Sequence, residues 1–172
     1  MPSSIERGTR SSFIAGGRDH IVQATEEYLL FRLGEEMFAI EVVSVREIVD
    51  FKSLTRVPEA PSCMNGLLNL RGRVVPVVNL RVKFDMSVVE RTIDTRVVIV
   101  EVEHDGEQVV LGMLVDAVMT VFDLTKADMS QAPELGTGID HSFIKGIGKR
   151  GEDFVILLDH QKLLSYGELV VC

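Results

Sequence analysis

The sequence predicts an all-β protein with minor helix, in which one small β unit occurs twice. Two observations carry this reading. In the block Asn65 to Phe84, NGLLNLRGRVVPVVNLRVKF, an apolar run is cut by Arg71-Gly72-Arg73, resumes as Val74-Val75-Pro76-Val77-Val78 and closes at Asn79-Leu80. About eighty residues later, Ile144-Lys145-Gly146-Ile147-Gly148-Lys149-Arg150-Gly151 leads into Phe154-Val155-Ile156-Leu157-Leu158 and Asp159. The second observation lies upstream of each hairpin. Tyr28-Leu29-Leu30-Phe31-Arg32-Leu33 precedes the turn Gly34-Glu35-Glu36 and the run Met37-Phe38-Ala39-Ile40. Likewise Arg96-Val97-Val98-Ile99-Val100-Glu101-Val102 precedes Asp105-Gly106-Glu107 and Val109-Val110-Leu111-Gly112. Asp-Gly between β-branched runs is a strong hairpin signal, because glycine accepts the positive φ of the turn. Two matches in the same order indicate an internal duplication rather than chance likeness of Val-rich strands.

Taken in order, residues 1–25 are rich in Ser, Gly and Arg without periodicity and read as a flexible N-terminal tail. One domain is expected over 26–166. Its first unit covers about 26–84 and its second about 95–158, joined by the polar stretch Asp85 to Thr95. The C-terminal segment is placed to pack on the first unit. Pro76 interrupts an apolar strand and cannot donate to a ladder, so that strand is expected at an edge or a bulge. Such an edge is either open to another chain or covered by the other half or the C-terminal segment. Leu124 to Asp140, with Pro133, Gly136 and Gly138, is a second irregular region. Within it Thr125 and Asp128 have the spacing of a capping box. Gln161 to Tyr166 is expected to form a C-terminal helical turn.

At 172 residues the chain is long enough for a real core, and 46 % apolar residues exclude disorder over most of it. No apolar run approaches the roughly 20 residues needed to span a bilayer, and no secretory h-region is present. Direct membrane insertion is therefore not expected. Cys63 and Cys172 form no framework; Cys63 reads as a small buried hydrophobe and Cys172 as a terminal residue with no evident partner. No metal-ligand spacing and no cofactor motif occurs. The net charge is −8. Arg7, Arg10 and Arg18 against Glu6 and Asp19 leave the first 25 residues at +1 and the body at −9. A body of that charge repels phosphate backbones, which disfavours a nucleic-acid-binding barrel. Arg71, Arg73, Arg81 and Lys83 form one local basic group, without interleaved aromatic residues.

Catalysis finds little to work with. Asp140-His141-Ser142 holds triad residue types, but sequence neighbours cannot form the hydrogen-bonded relay. Asp159-His160 reads as strand-end polarity. A small hydrolase built on His141 or Asp159-His160 remains the enzymatic alternative, and it requires a concave site with a perturbed histidine. What stands out instead is charge within apolar surroundings. Glu47 lies in VVSVREIV, and Arg71 lies between Leu70 and Gly72 at the tip of, or entry to, the hairpin. The guanidinium fork suits a carboxylate, either Glu47 or one on a partner. An exposed turn arginine of small energetic worth is the plainer alternative.

At these residues the chain resembles the CheW-type chemotaxis coupling proteins, across about Glu26 to Leu164. The resemblance rests on YLLFRLGEEMFAIEVVSVREIV, NGLLNLRGRVVPVVNLRVKF, RVVIVEV, VLGMLVDAVMTVF and IKGIGKRGEDFVILLDHQKLL. It implies two SH3-like five-stranded β-barrel subdomains packed side by side, and no catalysis. It further implies an adaptor in the cytoplasm, held at the inner face of the membrane through receptor arrays. Its partners would be the CheW-like regulatory domain of the chemotaxis histidine kinase and the tip helices of chemoreceptors. Residues matching the family's kinase- and receptor-binding elements are Val45, Glu47 and Ile48, then Gly66, Asn69, Leu70, Arg71 and Gly72. Val97, Gly112 and Val118 match positions near the receptor groove. For the valines and glycines, packing or backbone shape is the competing role. A coupler in a chemosensory-like system with another output, such as surface motility, is the alternative within this class. The long tail and the added Arg73 depart from the family pattern.

Overall fold

The β-branched runs become eleven strands among the described residues, which in this computed structural model are 24–51, 53–131 and 139–165. In order they are β1 (Thr25–Leu33), β2 (Glu36–Glu41), β3 (Val45–Asp50), β4 (Met64–Leu70), β5 (Arg73–Asn79) and β6 (Arg96–His104). They continue with β7 (Glu107–Val115), β8 (Ala117–Thr125), β9 (Met129–Ser130), β10 (Ile144–Arg150) and β11 (Asp153–Leu158). Two single helical turns follow the signature hairpins, α1 (Leu80–Lys83) and α2 (His160–Leu163). Both are capped alike. Asn79 accepts from the Arg81 amide, and Asp159 accepts from the Gln161 and Lys162 amides. The all-β expectation holds, as do the four hairpins, the Thr125–Asp128 capping box and the C-terminal helical turn. The tail expectation falls on residues 1–23, outside the described residues, and Thr25 already belongs to β1.

The strands build two curled sheets, ordered β8-β1-β2-β11-β10-β9 and β3-β6-β7-β5-β4. This corrects the expected division into 26–84 and 95–158. Each sheet takes the opening hairpin of one half and the later strands of the other. Thus β1–β2 pairs with β8 and β11, while β6–β7 pairs with β3 and β5. The duplication signal shows only which segments are alike. Similar halves offer each hairpin two comparable partners, and the repeat alone does not say which one it takes. Matching irregularities support the repeat. Register shifts fall between Met64 and Gly66 in β4 and between Ile144 and Gly146 in β10. A Cβ on either glycine would lie 2.8 Å from a backbone oxygen, that of Thr55 or that of Ser130.

Burial explains the uninterrupted Val and Leu runs. In β1, Tyr28 and Leu30 face the interior of their own barrel, while Leu29, Phe31 and Leu33 face a central core between the barrels. In β6, Val97 and Ile99 line the second barrel, and Val98, Val100 and Val102 join the same central core. Strands buried on both faces need no polar alternation. Pro76 departs from its edge expectation. By sheet order β5 lies between β7 and β4, but its pairing with β7 covers only Val77–Asn79. Pro76 therefore precedes that ladder, and its missing N–H is not demanded there. Cys63 is buried as expected, yet it is disulfide-bonded. Burial sets how much water a sulfur meets, not its redox state. No helix among the described residues is long and apolar enough to cross a membrane.

Candidate functional site: a clasped barrel mouth and its counterpart

The β4–β5 hairpin turns on two residues, Arg71 and Gly72, with φ of +52° and +82°. Positive φ at both positions is the type I′ pattern that matches strand twist. The Asn69 side-chain oxygen accepts the Gly72 amide at 2.9 Å and holds this turn closed. Asn69 and Gly72 are thereby assigned to the shape of the tip. Arg71 occupies a conformation that a non-glycine residue adopts at a cost, and its side chain has a defined target. Its Nη1 donates to Glu47 Oε1 at 3.3 Å, and its Nη2 donates to Glu47 Oε2. Of the alternatives left open by the sequence, the one present here is the pairing with Glu47 within the chain.

Glu47 sits on β3 and Arg71 at the tip of β4–β5, the two ends of one sheet order. The fork therefore clasps the seam across which this curled sheet closes. Beneath it lies a cavity of about 220 Å³ lined by Arg46, Glu47, Leu70, Arg71, Arg73 and Ile99, among others. The hydrogen bond from Arg71 is the main cause that holds the Glu47 carboxyl below its usual range, against slight desolvation. The reciprocal bond raises the Arg71 guanidinium further. Arg46 approaches Glu101 at 3.5 Å, so the mouth is rich in guanidinium groups on an otherwise acidic protein. Ile48, beside Glu47, is 40 % exposed, and Val74 on β5 is 65 % exposed.

The other candidates separate into shape and packing roles. Gly66 has φ +151° and no room for a Cβ against Thr55, so it sets the β4 bulge. Leu70 packs against the interior of this barrel, and Val45 against the central core. Val97 is fully buried and packs in the interior of this barrel. Gly112 lies against it, since a Cβ there would meet Val97 Cγ1 at 2.8 Å and Val77 Cγ2 at 3.1 Å. Gly112→Ala is expected to cost about 1–3 kcal/mol through overpacking. Adding Val97→Ala should cost less than the sum of the two, because the new methyl enters the vacated space. Strictly additive melting data would show that these residues are not coupled.

Val118 has a position like that of Val45. Val45 lies opposite Val100 and Val118 opposite Phe31, and each is followed by a register shift. Both pack partly against the central core. The repeat therefore produces a second edge on the other barrel, which candidate-by-candidate reading missed. On it Val121 is 47 % exposed and Phe154 is 68 % exposed. They occupy the places of Ile48 and Val74. Transferring the hairpin repeat from Val74 to Phe154 was the signal available in the sequence. Here Arg150 lies over the Phe122 ring at 5.7 Å, joining β10 to β8 across the corresponding seam.

The triad-type residues are occupied locally. Asp140 accepts from the Ser142 amide and hydroxyl, at 2.9 and 2.8 Å, and caps a short turn. Asp159 is taken up as the α2 cap. His160 is half-buried, and burial lowers its pKa.

Comparison with known proteins bears on the family and the fold. The family model described as CheW-like domain matches residues 27–168. Chemotaxis protein CheW of Klebsiella aerogenes is 36 % identical over 146 residues, covering 85 % of this chain and 86 % of that protein. Chemotaxis protein CheW of Treponema pallidum is 32 % identical, covering 83 % of this chain and 84 % of that protein. Among solved structures, scaffolding protein TtCheW from Thermoanaerobacter tengcongensis superposes with a TM-score of 0.73 at 31 % identity. That match covers 81 % of this chain and 92 % of TtCheW. With two SH3-like β subdomains and a family match over most of its length, this chain belongs to the CheW-like family.

Proposed function

We propose that this chain is a non-enzymatic adaptor that couples the cytoplasmic tips of chemoreceptors to the chemotaxis histidine kinase in a signalling array. One observation carries the proposal. The two barrels present equivalent edges, each with exposed apolar residues beside a hairpin tip, on barrels joined by a common core. A body with two such faces can engage two protein partners at once, and repeated weak contacts then reinforce one another. On this reading the Glu47–Arg71 edge, with Ile48 and Val74, meets the regulatory domain of the kinase or the receptor. The edge carrying Val118 and Val121 serves the second contact. The place of action is the cytoplasm, at the inner face of the membrane through the receptors.

The test is a pull-down with the kinase and a receptor cytoplasmic fragment, each alone and then together, with kinase activity measured in parallel. Retention of both, and kinase activity that changes only when this protein is present, is the expected result. Capture of neither by a folded protein overturns it. Arg71→Glu is expected to leave the melting temperature nearly unchanged while weakening partner binding roughly tenfold or more. The charge-exchanged pair Glu47→Arg with Arg71→Glu restores binding if the clasp itself is what matters. It stays defective if Arg71 meets a carboxylate on the partner. Wild-type binding by folded Arg71→Glu removes Arg71 from the interface.

A further inference from the structure

Apart from the hairpin partners, the isolated Thr55–Leu67 bridge and the two-residue β9–β10 pairing, every strand pairing among the described residues joins a segment before the 85–95 connection to one after it. These pairings are β1 with β8, β2 with β11, β3 with β6 and β5 with β7. Residues 24–84 alone hold two hairpins that do not pair with each other, plus β3. Residues 96–165 hold two more such hairpins, with β8 and β9. A solitary two-stranded hairpin is marginal at best in water. The apolar cores divide in the same way. The central one mixes Leu29, Phe31 and Phe38 with Val98, Val100 and Met113.

The backbone connection is slight by comparison. Ser87 to Asp94 are exposed, and they form no helix or strand. Arg81 Nη1 donates to the Ser87 carbonyl at 2.7 Å, and the Arg91 guanidinium lies 5.0 Å from the Phe51 ring. Thr92 and Thr95 close a local turn.

We propose that each half of this chain is the binding partner of the other half rather than a folding unit of its own. The molecule is then a fused, strand-exchanged pair of half-length units, and each half can equally be supplied by a second copy of the chain. The surface that recognises the partner is the set of open strand sides on β1, β2, β6 and β7, together with the apolar residues behind them. Backbone pairing supplies affinity, and the register of the two-sided Val and Leu runs supplies specificity.

The experiment places a protease site between Val89 and Glu90 of the full chain and cleaves the folded protein, with reductant present throughout so that no disulfide at Cys63 tethers the fragments. The two fragments are expected to co-elute at the size of the uncut chain. Their melting temperature should rise with protein concentration, because folding has become an association; the uncut chain should show no such dependence. After separation in denaturant, neither fragment alone should regain a cooperative melt, and mixing them should restore it. A tagged fragment refolded with uncut chain should be captured in a complex with it. Fragments that part without denaturant, or a single fragment that melts cooperatively, overturn the proposal. A second site between Arg91 and Thr92 covers local disruption by the first insertion. If neither uncut insertion variant folds, the connection is itself required, and the proposal fails.

Discussion

Phe38→Ala is expected to destabilise the protein by about 3–5 kcal/mol and to melt both barrels in one transition, at a temperature lower by roughly 10 °C. Phe38 on β2 is fully buried. Its ring stacks on Phe31 at 6.0 Å and on Phe84 at 5.5 Å. Phe31 belongs to the sheet of β2, whereas Phe84 follows α1 at the end of the β5 segment in the other sheet. Truncation leaves a void at the junction, with both rings deprived of contacts that each contribute about 0.5–1.5 kcal/mol beyond area burial. Because the central core draws on both sheets, neither barrel can retain its packing while the other loses this ring. Calorimetry decides the matter. Two separated transitions in the variant, one at the wild-type temperature, would sink the claim of a single cooperative unit.

Asp116→Ala is the second large effect, expected at about 2–4 kcal/mol. Asp116 occupies the single position between β7 and β8, where the chain passes from one sheet to the other. Its carboxylate accepts the Gly34 amide at 2.7 Å and Arg81 Nε at 3.0 Å, with Nη2 at 2.5 Å. Both side chains of the ion pair are mostly buried, at 12 % and 17 % exposure. One residue thus ties the β1–β2 turn of one sheet to α1 of the other. Removing it strands a guanidinium and an amide donor away from bulk water. Desolvation pushes the Asp116 carboxyl up, but the hydrogen bonds from Arg81 and Gly34 and the nearby positive charge outweigh it, and its pKa is lowered. A lowered folded-state pKa stabilises the protein above the unfolded value of about 3.9. That contribution is lost as the pH falls through the lower folded value. The wild type should therefore lose stability more steeply below about pH 4 than Asp116→Ala does. Parallel acid-titration curves for the two proteins would show that the pair does not provide this stability.

Much of the candidate site was legible because it is local. A two-residue hairpin loop fixes its own register, so Arg71-Gly72 could be placed at a turn from neighbouring residues alone. The guanidinium fork called for a carboxylate, on Glu47 or on a partner, with an exposed turn arginine as the plainer alternative, and the structure pairs it with Glu47. Val97 was harder to place. A valine in a β run looks the same whether it faces a partner or a core, and it proves fully buried against Gly112. Val121 and Phe154 were passed over because each looked like another apolar strand residue. Their exposure follows from where β8 and β11 sit within a curled sheet.

Legible in the sequence alone were the all-β class, the repeat of hairpin and turn, the cap at Thr125 and the family, whereas the cap role of Asp159 emerged only in the structure. The legible features depend on residues a few positions apart, or on a pattern carried whole from one half to the other. Only the tertiary structure decided that the opening hairpins exchange sheets, that β5 lies inside its sheet and that Asp116 locks the crossover. Those choices depend on which of two similarly built surfaces a strand meets. Periodicity marks a strand as buried on both faces; three-dimensional packing selects what covers each one.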